Sequence, residues 1–173
     1  MIEVQLVDSN DNELVAMEKL EAHKQGLLHR AISVLLFNSK GEILLQKRAF
    51  HKYHSPGLWT NTCCSHPYPK ENTKDAAERR LKEEMSIKTS LKFSFKFNYK
   101  VEFTNGLIEN ELDHVFTGFS DETPHLNTDE AVAFKWINPK ELRQDMEKSP
   151  ENYTFWFKII MNEHFDHIES NLV

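Results

Sequence analysis

The sequence predicts an α/β (α+β) domain over residues 1–173, with a mixed β-sheet and helices packed on it. Three observations carry that expectation. β-rich segments bounded by turn signals recur along the chain, one long segment alternates in polarity, and capped segments with helical apolar spacing fall between and after them.

Residues 29–37 are apolar and β-rich, Asn38-Ser39-Lys40-Gly41 is a turn signal, and residues 42–48 return, so the three read as a β-hairpin. Residues 51–69 are punctuated by Pro56, Gly57, Pro67 and Pro69 and read as loop around a short strand at 58–62. Asn72 or Thr73 can cap a helix running to about Met85, with Ala76, Ala77, Leu81 and Met85 as its apolar stripe. Residues 92–103 place Phe93, Phe95, Phe97, Tyr99, Val101 and Phe103 on one face of a strand and Lys92, Lys96 and Lys100 on the other. Asn105-Gly106 is a hairpin turn, and 107–119 returns as a strand. Residues 130–137 form a further strand. Asn138-Pro139 opens a short helix to about Glu147, and 153–168 is the closing helix.

A chain of 173 residues, 39% hydrophobic and 28% charged, can bury a core without disulfides. Its longest apolar stretch, 32–37, is too short to span a bilayer. The acidic start of the chain resembles neither a secretory signal nor a transit peptide, so the expected location is the cytoplasm. With a net charge of −6 and no basic run, nucleic acid is not an expected partner. A negative protein acting on a negative substrate needs a local cationic pocket or a metal. Cys63 and Cys64 are adjacent and the only cysteines, which leaves two free thiols in a reducing compartment.

Four groups of residues carry possible chemistry. Glu109 and Glu111 lie two apart in a strand, so their carboxylates share a face. They could be a metal site or the solvated face of an edge strand. His23, His29 and His66 flank segments that could meet in one pocket, and with the two Glu they would suit Zn²⁺, Mn²⁺ or Mg²⁺. Cys64-Ser65-His66 sets a thiol beside one of those imidazoles, where a lowered pKa would make it a base or nucleophile. Cys63, Cys64 and His66 could instead belong to a structural zinc site, although zinc-finger spacings are absent. Finally, Glu78, Arg79, Lys82, Glu83 and Glu84 cluster on the helix, with Asp75–Arg79, Arg79–Glu83 and Arg80–Glu84 at i,i+4.

The run from Ser65 through Glu71, Arg79-Arg80-Leu81-Lys82-Glu83-Glu84 and Ser86-Ile87 resembles the Nudix box, G-x5-E-x7-R-E-U-x-E-E-x-G-U. Ser65 and Ser86 stand where that box has Gly, and Arg80 stands where it has Glu. An Arg there weakens a metal-binding carboxylate cluster and suits holding a phosphate. Five further stretches resemble one branch of this superfamily, the type I isopentenyl diphosphate isomerases. They are Gly26-Leu27-Leu28-His29-Arg30-Ala31, Leu45-Gln46-Lys47-Arg48, Pro56-Gly57-Leu58-Trp59-Thr60-Asn61-Thr62-Cys63-Cys64-Ser65-His66-Pro67, Glu109-Asn110-Glu111 and Tyr153-Thr154-Phe155-Trp156-Phe157.

The resemblance implies a Nudix-type mixed β-sheet sandwiched between helices. It also implies a metal-dependent 1,3-allylic proton shift interconverting isopentenyl and dimethylallyl diphosphate in isoprenoid biosynthesis. It places the catalytic thiol at Cys64 and a carboxylate catalyst at Glu111, assisted by Tyr99, with Trp156 facing the substrate. It places metal ligands at His23, His29, His66, Glu109 and Glu111, and associates Mg²⁺ on the diphosphate with Glu84. Lys19, Arg48, Lys52 and Arg80 are implied as phosphate-holding residues. One divalent ion (Mn²⁺, Zn²⁺ or Mg²⁺) is expected at the His/Glu site, with no redox cofactor. The expected partner is a small isoprenyl diphosphate, with the chain a monomer or a dimer. In that scheme Glu111 with Tyr99 delivers the first proton and Cys64 removes the second as thiolate. The competing readings are a Nudix pyrophosphohydrolase of a nucleotide or sugar diphosphate, and a non-catalytic zinc-binding or interaction domain.

Overall fold

The computed structural model describes residues 2–170. Its centre is β3 (His29–Phe37), which runs parallel to β8 (Ile108–Phe119) along its full length, from the pair His29–Glu111 to the pair Phe37–Phe119. Every other pairing between named strands is antiparallel. β3 meets β4 (Ile43–Arg48) through the expected hairpin turn and β6 (Cys63–Ser65) along its middle. β4 continues to β5 (Trp59–Thr60) and β9 (Ala131–Ile137), and β7 (Lys92–Glu102) covers the outer side of β8. The sheet is therefore mixed, as expected.

Successive strand residues point to opposite faces, and that alternation assigns the core. Leu35, Phe37, Ile43, Leu45 and Val115 face α3 (Pro139–Lys148), α4 (Phe155–Ile159) and α5 (Phe165–Ser170), packing against Leu142, Trp156, Phe157 and Ile168. Ile32, Val34, Leu36, Leu44 and Phe116, one residue out of phase, pack against Ala77, Leu81 and Met85 of α2 (Thr73–Met85). Each such buried aliphatic side chain contributes about 1.5–3 kcal/mol relative to exposure. Helices thus cover both faces. Among the described residues no helix is long and apolar enough to cross a membrane.

α2 starts where its cap predicts, with the Asn72 side chain accepting from the amides of Lys74 and Asp75 at 2.9 and 3.4 Å. It ends on Ser86 at φ 58°, a left-handed position that favours Gly. That accounts for the Gly of the Nudix box at this point. Here the Ser86 hydroxyl donates to the His125 carbonyl at 2.9 Å, which offsets part of the strain. Arg79 turns from the expected Asp75 to Glu71, which it grips with two hydrogen bonds of 2.8 Å.

The structure adds elements ahead of residue 29 and corrects three expectations. An N-terminal hairpin, β1 (Glu3–Val7) with β2 (Glu13–Glu18), and the short α1 (Lys19–Gln25) lead the chain and lay β1 beside β3 at Leu6–His29. In β7 the register slips at Ser94, so Phe93 turns to the opposite face from Phe95, against Phe116 and His114. The strand expected at 58–62 is instead two, because Asn61 and Thr62 turn their side chains to backbone groups. Asn61 donates to the Cys63 carbonyl at 2.7 Å and Thr62 to that of Leu44 at 2.7 Å. The closing helix begins at Phe155, after Tyr153 bridges to Trp59, and passes through a π-type turn at Ile160–His164.

Candidate active site

The pairing of β3 with β6 on one side and β8 on the other brings three distant stretches of sequence around one cavity of about 380 Å³. Arg48, Cys64, His66, Tyr99, Glu111 and Trp156 line it.

β8 lies between β3 and β7 and is no edge strand, so Glu109 and Glu111 do not form a solvated face. Both are buried, Glu109 to 2% exposure and Glu111 to 6%, which is costly for two same-face carboxylates unless cations or donors meet them. Three imidazoles do. His29 stands opposite Glu111 in the parallel register, with its Nε2 3.5 Å from Glu111 Oε1. His66 follows β6 and reaches the same oxygen at 2.9 Å. His23 comes from α1, whose last turn is closed by Gly26 in the left-handed conformation.

Tautomers can be assigned from partners. A carbonyl only accepts, so His23 Nδ1, 2.7 Å from the Lys19 carbonyl, and His29 Nδ1, 2.8 Å from that of Leu27, carry their ring protons. Each Nε2 therefore faces inward and offers a lone pair whenever it is free of its proton. His23 Nε2 is buried without a hydrogen-bond partner, and His29 Nε2 lies 3.2 Å from His66 Nε2. His66 could turn an N–H to Glu111, but its Nδ1 is also buried without a partner. One donor atom each of His23, His29, His66 and Glu111 lie within 4.8 Å of one another. Burial lowers His23, and burial with the Lys19 charge pushes His66 down to about 3. Burial alone would raise Glu111, but the His66 and His29 rings hold its carboxyl well below the usual carboxylate range. Once free of protons at the inward nitrogens, these imidazoles with the Glu111 carboxylate make a donor set that fits a divalent cation.

Tyr99 lies across from Glu111 in the β7–β8 register and donates to Glu111 Oε2 at 2.6 Å, with Glu109 Oε2 at 3.2 Å. Burial and the adjacent Glu111 charge push the Glu109 carboxyl up. The three side chains form one hydrogen-bonded unit on the cavity wall.

Cys63 and Cys64 point to opposite faces of β6. Cys63 is fully buried against α2, and Cys64 packs toward the other face and into the cavity. The Sγ of Cys64 sits 3.7 Å from an Arg48 guanidinium nitrogen. Burial outweighs the Arg48 charge and pushes the Cys64 thiol up to about 12, which runs against the expected thiolate. Trp156 donates from Nε1 to Asn61 at 3.2 Å, and its ring lies beside Tyr99 and the Arg48 guanidinium.

Lys19, Arg48, Lys52 and Arg80 all border the cavity, making the local cationic wall that the net charge called for. Two of them are already in ion pairs. Glu130 accepts from Lys52 at 2.5 Å and from Arg80 at 2.9 Å. Arg80 also pairs with Glu84 at 2.7 Å, and Gln46 donates to the other Glu84 oxygen at 2.9 Å. Glu84 is buried beneath Arg80, outside the His/Glu cluster, and burial raises its carboxyl.

Sequence reasoning missed three residues here. Asp113 continues the i,i+2 series of Glu109 and Glu111, a signal the sequence does contain. It is buried on the cavity wall, accepts from the Ser33 hydroxyl at 2.7 Å, and is pushed up to about 8 by burial and then Glu111. Glu130 and His54 carry no such signal. His54 is buried in the loop after β4, with Nε2 3.0 Å from Glu109 Oε1, and burial with the Arg48 charge pushes it down to about 2.

Comparison with known proteins places this geometry. Residues 27–157 match the NUDIX domain. The chain is 53% identical over 154 residues to isopentenyl-diphosphate Delta-isomerase 2 of Aromatoleum aromaticum, covering 89% of this chain and 82% of that relative. It is 50% identical over 159 residues to the isopentenyl-diphosphate Delta-isomerase of Pectobacterium atrosepticum, covering 92% and 89%. In fold it resembles a solved protein of Deinococcus radiodurans at TM-score 0.77 and 16% identity, covering 94% of this chain and 99% of that one. A MutT protein of Methanosarcina mazei follows at TM-score 0.67 and 20% identity, covering 83% and 95%. On the strength of this identity along nearly its whole length, the chain belongs to the isopentenyl-diphosphate Delta-isomerase family, on a NUDIX domain.

Proposed function

We propose that this protein interconverts isopentenyl and dimethylallyl diphosphate by moving one proton onto, and another off, a five-carbon chain held in the cavity. One observation carries the reading: a thiol, Cys64, and a carboxylate with a phenol on it, Glu111–Tyr99, open onto the same cavity. A weakly basic alkene needs an acid and a base held in place and shielded from water.

The pair carries one transferable proton. In the protonation state described above it sits on Cys64, and Glu111 is ionised. Cys64 then donates to the terminal alkene carbon, and Glu111 with Tyr99 takes the proton from the carbon two positions away. The return reaction reverses both roles, and between forward turnovers the proton on Glu111 passes back to Cys64 through solvent. This resting assignment is the opposite of the thiolate scheme read from the family resemblance. Between the two transfers a tertiary cation must be shielded, and Trp156 can stabilise it by about 2 kcal/mol when desolvated.

His23, His29, His66 and Glu111 would hold a divalent ion, for which Zn²⁺ or Mn²⁺ suits the imidazole-rich set, while Glu109, expected as a fifth ligand, lies against His54. That ion would hold Glu111 in the ionised form, the proton-accepting state of the Glu111–Tyr99 unit. To hold the Mg²⁺ that the resemblance associates with it, Glu84 would have to release Arg80 and Gln46. Arg48 and Lys19 anchor the phosphates directly, and Lys52 and Arg80 join them as they let go of Glu130. Remote binding energy from this anchoring orients a hydrocarbon too small to orient itself. The hydrolase reading is not favoured, because Arg80 occupies a carboxylate position of the Nudix box and Cys64 would have no task.

The test is to incubate the protein with isopentenyl diphosphate, Mg²⁺ and Mn²⁺ and follow the vinyl and methyl protons by NMR. Dimethylallyl diphosphate should accumulate with the diphosphate intact. Release of phosphate without isomer would transfer the function to the hydrolase class.

A further inference from the structure

His54 is the fourth imidazole at the acidic wall, and nothing in the roles assigned above uses it. Its Nε2 lies 3.0 Å from Glu109 Oε1. One donor atom each of His23, His54 and Glu109 lie within 4.8 Å of one another, as a second group beside that of His23, His29, His66 and Glu111. The ring is pinned. It stacks on Phe103 at 5.4 Å, meets Trp156 edge-on at 5.9 Å, and its carbonyl accepts from Arg48 at 3.3 Å. The next residue, Ser55, is held at φ 48°, a left-handed strain that persists only where the surroundings enforce it. The loop therefore fixes His54 against Glu109, and its Nδ1 is buried without a hydrogen-bond partner.

The two groups share His23. Its Nδ1 proton is committed to the Lys19 carbonyl, so it has one inward lone pair and can serve one ion at a time. We infer that the site has two mutually exclusive cation positions, one on His29, His66 and Glu111 and a second on His54 and Glu109, with His23 common to both. This rests on the metal site proposed above and extends it to a residue outside the expected ligand set. A borderline first-row cation suits the second position, which offers two imidazoles and one carboxylate. An ion there would leave Glu111 free of ligation while remaining inside the site.

The test uses metal-free protein and Zn²⁺ alone, with affinity measured against a chromogenic chelator and folding checked by circular dichroism. Wild type should bind one Zn²⁺. His66→Ala should weaken binding but keep a site, because the second position survives. Adding His54→Ala or His54→Gln to His66→Ala should each cost about a further tenfold or more, the scale of losses at metal sites. Gln can still hydrogen-bond Glu109, so a double variant with Gln that binds like His66→Ala alone would reduce His54 to a positioning partner and overturn the inference. A wild type that binds two Zn²⁺ at once would overturn it as well. A wild type that binds none would instead remove the underlying metal site.

Discussion

Cys64→Ala is expected to cut turnover of isopentenyl diphosphate by about 10³-fold, within the range for loss of a positioned acid or base, while diphosphate binding stays near wild type. The sulfur faces the cavity 3.7 Å from an Arg48 guanidinium nitrogen, and Ala leaves the phosphate-holding side chains in place. Cys63→Ala is the matched control. Its side chain packs against α2 on the opposite face, so the cost should be stability, about 1 kcal/mol, with turnover retained. Steady-state kinetics with thermal denaturation of both variants separates the roles. If Cys63→Ala loses turnover and Cys64→Ala keeps it, the assignment within the pair is wrong.

Glu111→Gln should be as damaging by a different route. The substitution keeps the size of the side chain and removes its charge. His29 and His66 lose the anion that gathers them, and Tyr99 loses its carboxylate acceptor. Divalent metal affinity should fall by more than about tenfold, and turnover by about 10²–10⁴-fold at saturating metal. The two losses are distinguishable. Excess metal should refill the site without restoring the rate, because the proton acceptor is gone. Recovery of wild-type turnover in excess metal would show that Glu111 serves only as a ligand.

How far the sequence could lead differs from element to element. The β3–β4 hairpin and α2 are legible because each carries its own punctuation, Asn38–Gly41 in one case and the Asn72 cap in the other. β1, β2 and α1 are not. Leu14 and Val15 of β2 are exposed, so no alternation marks the strand, and α1 is shorter than two turns. The slip at Ser94 is invisible as well, because the Phe alternation reads the same with or without it. At the site, Glu109 and Glu111 on one face followed from strand geometry. The meeting of His23, His29 and His66 did not, since it depends on β3 lying between β6 and β8. The family resemblance implies that convergence without reference to the fold. It did not supply His54, Glu130 or the buried state of the Cys64 thiol, which depend on how loops and side chains pack in this chain.

A crystal structure of Cys64→Ala loaded with Mn²⁺, Mg²⁺ and isopentenyl diphosphate examines the central claim with least interpretation, since the unreacted alkene should remain in place. The account requires the diphosphate at Arg48 and Lys19 and the hydrocarbon lying flat, with residue 64 over one face and Glu111 with Tyr99 over the other. A hydrocarbon pointing out of the cavity, or both groups meeting it from a single side, would contradict it.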